Sequence, residues 1–379
     1  MALPARAELS DLTLTPPDIP VGEAALRLDA LAGGTVIAGG APDGGVPASG
    51  VVKLMPRLER DYDSGLSLAV AGTFTLADPL SRGRYDGDAV EQLYGEARTG
   101  VGRLQVGMVD GAGYALKLPL PAADDEIALD DPQTTFFRDP QSHRATIDMF
   151  TLRTEVGASS NYGKIAFVSP QLFGVQVALS FTPSEGKNLP FVDAGPDVPG
   201  RQADIWEGAL RYSDTLGPVS LSAYLAAAES RAEHKLPGQV GVGDLGLGLR
   251  ADYPVNDDVT LSLGAAWRQS NAYAFDIARS YDGAKTRVTH VSAGVTDDAW
   301  SAALEYGNGV AGSPPDSGAA RLGLNGLEAS LGYALSPGIQ VSWGWQHLNY
   351  GRDRGQFYNS TAKLSLDAAF MHLTLHTTG

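Results

Sequence analysis

No cysteine occurs among the 379 residues. That absence removes disulfide scaffolds, zinc fingers, thiol nucleophiles and iron–sulfur clusters. Nor is there any uninterrupted apolar run of the roughly 18–20 residues that a membrane-spanning helix requires, so a helical membrane protein is excluded. Basic residues are few: 28 Lys and Arg stand against 44 Asp and Glu, a formal charge of −16. A nucleic-acid binder needs a basic footprint, so nucleic acid is not expected as a partner. Residues 1–10 (MALPARAELS) lack the apolar stretch of a signal peptide. The expectation is a cytosolic chain or a mature form whose targeting segment has been removed. No H-E-x-x-H, G-x-S-x-G or P-loop is present, and the six histidines are scattered. Neither a metal nor a cofactor is expected.

What is abundant is glycine, 46 residues or about one in eight, too many for a helical protein and suited to turns or close backbone approach. Hydrophobic residues make up 43%, too many for a disordered chain, yet mean hydropathy is only −0.09. Helical periodicity is scarce, and period-two alternation recurs from about residue 50 to the end. Leu66, Leu68, Val70, Gly72, Phe74 and Leu76 alternate with small or polar residues, as do Leu245, Leu247, Leu249, Ala251 and Tyr253. Val259, Leu261, Leu263, Ala265 and Trp267 repeat the pattern.

A soluble, half-buried sheet also alternates. Three details favour a transmembrane barrel. The alternating stretches run about 9–13 residues, the length that crosses a bilayer at a tilt, whereas soluble strands are nearer 5–6. Several apolar rows end in an aromatic (Phe181, Tyr212, Tyr253, Trp267, Tyr306, Tyr333, Trp345), as an interfacial girdle would. The connections alternate strictly between short, at 63–65, 99–102, 171–174, 214–218, 254–258, 297–299 and 336–338, and long. Short turns on one rim and long loops on the other are expected of an outer-membrane barrel. Fifteen strands follow from Val51, and one more near Thr35–Ala38 closes an even count of about sixteen, wide enough for an aqueous channel. Low hydropathy then has a cause: only every second residue meets lipid.

The fold expected is therefore all-β, a transmembrane antiparallel barrel. Residues 1–34 read as an extended N-terminal tail, with four prolines between positions 4 and 20, and residues 35–379 as the barrel. Alternation places Lys53, Arg57, Glu59, Tyr94, Glu96, Arg98, Arg103, Arg211, Arg250 and Arg268 on the lumenal face, because charge on the lipid face at mid-bilayer costs about 2–4 kcal/mol.

Two segments resemble a known family. Residues 91–111 (EQLYGEARTGVGRLQVGMVDG) are similar to the strand–turn–strand that precedes the constriction loop of Gram-negative general porins, including those of alphaproteobacteria. Residues 161–183 (NYGKIAFVSPQLFGVQVALSFTP) resemble the hairpin that follows that loop. The resemblance implies a sixteen-stranded homotrimer in the outer membrane, amid lipid bilayer and lipopolysaccharide, passing small hydrophilic solutes and ions passively. It also implies that the third long loop, here 112–162, folds inward and narrows the pore. The chain departs from the family in ending on glycine, with Phe370 its last aromatic.

If the long loop lies across the lumen, its acids Asp124, Asp125, Glu126, Asp130 and Asp131 would face arginines such as Arg57, Arg98 and Arg103 across a constriction, setting a field that tunes selectivity. The same acids could instead solvate a surface loop, or capture Ca²⁺, for which no EF-hand spacing exists. Phe136 and Phe137 would anchor the loop or line a sugar track. Other functions left open are a substrate-selective channel for sugars or anions, an outer-membrane barrel enzyme, and a soluble all-β binding protein.

Overall fold

Period-two alternation builds strands whose successive side chains point to opposite faces, and in this chain every such stretch finds an antiparallel neighbour. The computed structural model describes residues 18–39, 48–77, 90–124, 127–130, 152–186, 199–275, 277, 280–312, 321–353 and 364–377. A short strand β1 (Asp18–Val21) precedes β2 (Ala24–Gly39), β3 (Ala48–Asp61), β4 (Ser67–Ala77), β5 (Val90–Thr99) and β6 (Gly102–Met108). The chain continues with β7 (Gly163–Val168), β8 (Val175–Ser184), β9 (Gln202–Leu216), β10 (Val219–Ala232), β11 (Gly243–Pro254) and β12 (Val259–Ser270). It finishes with β13 (Thr286–Asp297), β14 (Trp300–Ala311), β15 (Arg321–Ser336), β16 (Ile339–Asp353) and β17 (Leu364–His376).

Strands β2 to β17 pair in chain order, and β17 returns to β2 with Met371 opposite Val36, closing a sixteen-stranded barrel. Closure removes the exposed edges that make open sheets prone to association. The closing strand contains the expected Thr35–Ala38 but begins at Ala24, so the division placed between residues 34 and 35 falls inside a strand. β17 leaves β2 at Leu31, where Thr377 still bonds Ala30; beyond that, β1 folds back on Ala24–Arg27 and covers the remaining edge.

One rim carries only tight turns. Gly217–Pro218 and Pro337–Gly338 each join two strands directly, with Gly217 at φ +62° and Gly338 at φ +80°, a region that favours glycine. The outer face is the apolar row at each strand: Val70, Leu249, Leu263 and Leu304 are all more than half exposed in the isolated chain. Aromatics flank that band. Phe181, Trp206, Trp267 and Tyr306 lie toward the long loops; Tyr212, Tyr253, Trp300 and Tyr333 lie toward the short turns. Phe181 packs on Trp206 and Trp300 on Tyr333, both with ring centres 4.6 Å apart.

The lumen departs from a simple water-lined wall. Two apolar clusters sit inside the barrel. One joins Ala112, Leu116, Leu118 and Val156 of the long loop to Ile205, Tyr224 and Ala226. The other joins Ile127, Leu129 and Leu152 of the same loop to Val288, Leu324, Leu348, Phe370 and Ile37. Much of one inner wall is therefore a core, covered by the loop rather than wetted.

Candidate functional site: a lumenal loop and the gap beside it

The long loop leaves β6 at Val109, makes one helical turn, α1 (Ala112–Ala115), and runs to residue 124 along the inner wall. Its contacts advance strand by strand. Ala112 N donates to Ser180 Oγ of β8 (2.9 Å), and Tyr224 of β10 donates to the Gly113 carbonyl (2.7 Å). Arg250 of β11 donates to the Pro119 carbonyl (3.1 Å). Ser301 of β14 and Gln340 of β16 both donate to the Ala123 carbonyl, at 3.1 and 2.7 Å.

Glycines on the wall make this approach possible. A Cβ at Gly264 would come within 2.5 Å of Pro121 Cδ, and one at Gly307 within 2.6 Å of Leu152 Cδ1. Gly246 and Gly248 lie against Val156 and Leu118.

Both ends of the loop converge on two buried charges. Lys164 of β7 donates to the carbonyls of Val109 (2.5 Å), Ser160 (2.5 Å) and Ser159 (3.3 Å). Glu207 of β9 accepts from the backbone N–H groups of Ser159 (2.6 Å) and Gly113 (3.4 Å). The outgoing and returning arms are thus tied at one neck. Neither residue was singled out in the sequence, where a lone lysine in a strand gives no sign that three carbonyls surround it.

The loop covers one side of the lumen and leaves a gap on the other. A cavity of about 430 Å³ lies between Lys53, Thr73 and Glu91 on the β3–β5 wall and Asp110, Arg153 and Glu155 of the loop. Lys53 pairs with Glu91 at 3.0 Å and Arg153 with Glu155 at 3.6 Å. Burial raises the pKa of Asp110, opposed by the nearby Lys164 and a bond from Gln92. Burial also raises Tyr114. For Lys117 burial acts downward, but Tyr114 and Glu155 beside it prevail and its pKa is raised, keeping it charged.

The acids expected at the constriction are placed differently. Asp124 is buried against the wall, accepting from Ser342 Oγ at 2.5 Å. Asp130 lines a smaller space beside Lys117 and Arg153. Asp125, Glu126, Asp131, Phe136 and Phe137 lie outside the described residues. The carboxylates at the gap are Asp110, Glu91 and Glu155, each flanked in sequence by uncharged residues and so not part of any acidic run.

The ten wall residues all lie on inner rows, but not at one level. Arg98 and Arg103 are directly paired across the hairpin beside the turn at 100–101, and Arg57 lies four residues from Lys53 toward the short-turn rim. These three therefore flank the short-turn mouth instead of facing the loop. Glu96 there accepts from Arg57 (2.8 Å), Arg98 (2.9 Å) and Gln105 (2.9 Å), and Glu59 accepts from Arg57 (2.7 Å) and Ser67 (2.5 Å). Tyr94 lies on the same inner row as Glu96. Arg250 pairs with Asp252 at 3.0 Å. Arg268 is buried, forks onto Asp244 (2.5–3.1 Å) and covers the Phe275 ring at 3.8 Å. Among the described residues, Arg103 and Arg211 have no carboxylate partner.

A sixteen-stranded membrane-type barrel, apolar outside, with one long loop seated inside, defines a pore-forming outer-membrane protein. The family of Gram-negative porins matches residues 43–362, and the chain belongs to it. No curated protein matches by sequence. Solved structures with the same fold include OmpF of Salmonella typhi in complex with daunomycin, 14% identical, TM-score 0.60, covering 95% of this chain and all of that one. The outer-membrane channel DcaP of Acinetobacter baumannii is 12% identical, TM-score 0.58, over 96% of this chain and all of that one. An anion-selective porin from Comamonas acidovorans is 13% identical, TM-score 0.53, over 93% of this chain and all of that one.

Proposed function

We propose that the protein is a passive channel of the outer membrane for small hydrophilic solutes and ions, with weak charge selectivity, assembled as a homotrimer. The observation that carries the reading is the pairing of charges along the path. Lys53, Arg57, Arg98, Arg250 and Arg268 each meet a carboxylate within 3.0 Å, so their fields largely cancel a few ångströms into the lumen. A permeant ion meets local dipoles instead of opposed walls of one sign. At the gap Glu91, Asp110 and Glu155 stand against Lys53, Arg153 and Arg268, but Arg268 is already forked onto Asp244, which tilts the preference toward cations. Transport of this kind makes and breaks no covalent bond, so no catalytic role is assigned to any residue. The trimer form of OmpT, an outer-membrane protein of Vibrio cholerae with this fold, supports the assembly.

Planar-bilayer recording tests the reading. Ohmic steps in groups of three, with a reversal potential slightly on the cation side in a salt gradient, are the expected result. A reconstituted protein without conductance would overturn it, and strong anion preference would overturn the selectivity.

A further inference from the structure

We infer that the space between the two arms of the long loop is a binding site for a small α-amino acid in its zwitterionic form. The inference rests on the channel reading above and adds a solute class to it. The outgoing arm (114–122) and the returning segments (128–130 and 153–155) frame a cavity of about 180 Å³ against the β10–β14 wall. Gly248 of β11 and Ala266 of β12 keep that wall low. Tyr114, Arg153 and Glu155 border both this cavity and the gap, so a solute held here stands beside the path instead of in it. A dry void of about 150 Å³ takes benzene, and the cavity accordingly suits a molecule of roughly six to ten heavy atoms.

The inner end of the cavity calls for donors. His290 of β13 and Glu305 of β14 line it there, and both are buried. Glu305 Oε2 accepts from the Leu129 N–H at 3.2 Å and stands 3.1 Å from His290 Nε2. Among the described residues, Glu305 Oε1 and both ring nitrogens of His290 have no hydrogen-bond partner. Buried polar atoms are seldom left in that condition. A sugar hydroxyl brings one donor. An ammonium brings three, has no acceptor to satisfy, and also answers the charge of the carboxylate.

The rest of the lining fits what an α-carbon carries beside its ammonium. Lys117 is exposed on the outgoing arm and Arg153 stands on the returning one, so each arm brings a cation to the cavity for a carboxylate. Asp130 and Glu155 border it as well and repel a second carboxylate. Leu118, Leu120 and Ala128 complete the lining with apolar surface, which suits a small aliphatic side chain. A free amine or a free carboxylate would use only one end.

The test uses the full chain in detergent micelles and ligand-observed saturation-transfer NMR, which reads weak binding without any channel activity. Conductance in a planar bilayer tests the channel reading separately. The probes are L-valine, isobutylamine, which lacks the carboxylate, and isovalerate, which lacks the ammonium. Valine should bind saturably, and each single-charge probe about tenfold more weakly. Lys117→Gln should weaken valine about five- to tenfold and leave isobutylamine unaffected. Glu305→Gln should weaken valine and isobutylamine and leave isovalerate unaffected. Lys117 is exposed on the loop, so its variant decides the matter even where the buried Glu305 variant fails to fold. Equal binding of the three probes, no saturable binding of valine, or the same valine affinity in wild type and Lys117→Gln would overturn the site.

Discussion

At the residue scale, two aspartates of one loop have opposite fates. Asp124 faces the wall and bonds Ser342, whereas Asp110 faces the gap. Replacing Asp110 by Asn together with Glu155→Gln should move the reversal potential toward anions in a salt gradient. Asp124→Ala should leave that potential unchanged and lower stability by about 1–2 kcal/mol, because Ser342 loses its buried partner. The raised pKa of Asp110 gives a pH dependence whose sign follows directly. A carboxyl raised by burial takes up its proton above the ordinary aspartate value of about 3.9. Cation preference should therefore begin to fall in mildly acidic solution, before ordinary carboxylates titrate. The same protonated form favours folding, so this contribution to stability is present at low pH and is lost as pH rises through the raised value. In Asp110→Asn the early step in reversal potential should vanish.

At the scale of elements, the loop is a seated strap with a neck. Lys164→Met leaves three carbonyls without their donor and Glu207 without its opposite charge, a loss on the order of 3 kcal/mol. Single-channel recordings of this variant should show larger and noisier openings, since both arms of the loop lose their common tie. A wild-type trace would mean that the apolar clusters hold the loop without the neck. Strand identity and facing were legible in the sequence because period two is a local property: Arg57, Glu96 and Arg268 each stand on the face that alternation assigns. The loop's seat was not legible. It depends on which wall residues are small enough to admit Pro121 or Leu152, and those, Gly264 and Gly307, are over a hundred residues away in the chain. Reading Asp124 as a pore-facing acid followed from its acidic neighbours, whereas its contact with Ser342 joins positions 218 residues apart. Levels along the barrel axis were legible only beside a turn: Arg98 and Arg103 flank the short connection at 99–102 and so lie at the short-turn mouth, away from the loop.

At the scale of the whole molecule, stability depends on one seam. Phe370 of β17 packs with Ile37 of β2 in the cluster under the loop. Phe370→Ala removes a buried ring and should cost about 3–5 kcal/mol. In unheated electrophoresis the folded band of this variant should convert to the slower, unfolded band at a lower temperature than wild type. An unchanged conversion temperature would mean that backbone pairing alone holds the seam.

The seam has a consequence for biogenesis. Ile37, near the start of the chain, and Ala368 and Phe370, near its end, complete the apolar seat on which Ile127, Leu129 and Leu152 rest. Until the first and last barrel strands meet, the strap has only part of its saddle. A half-inserted barrel is thus an ungauged hole, and sealing the cylinder is the same event that calibrates its aperture.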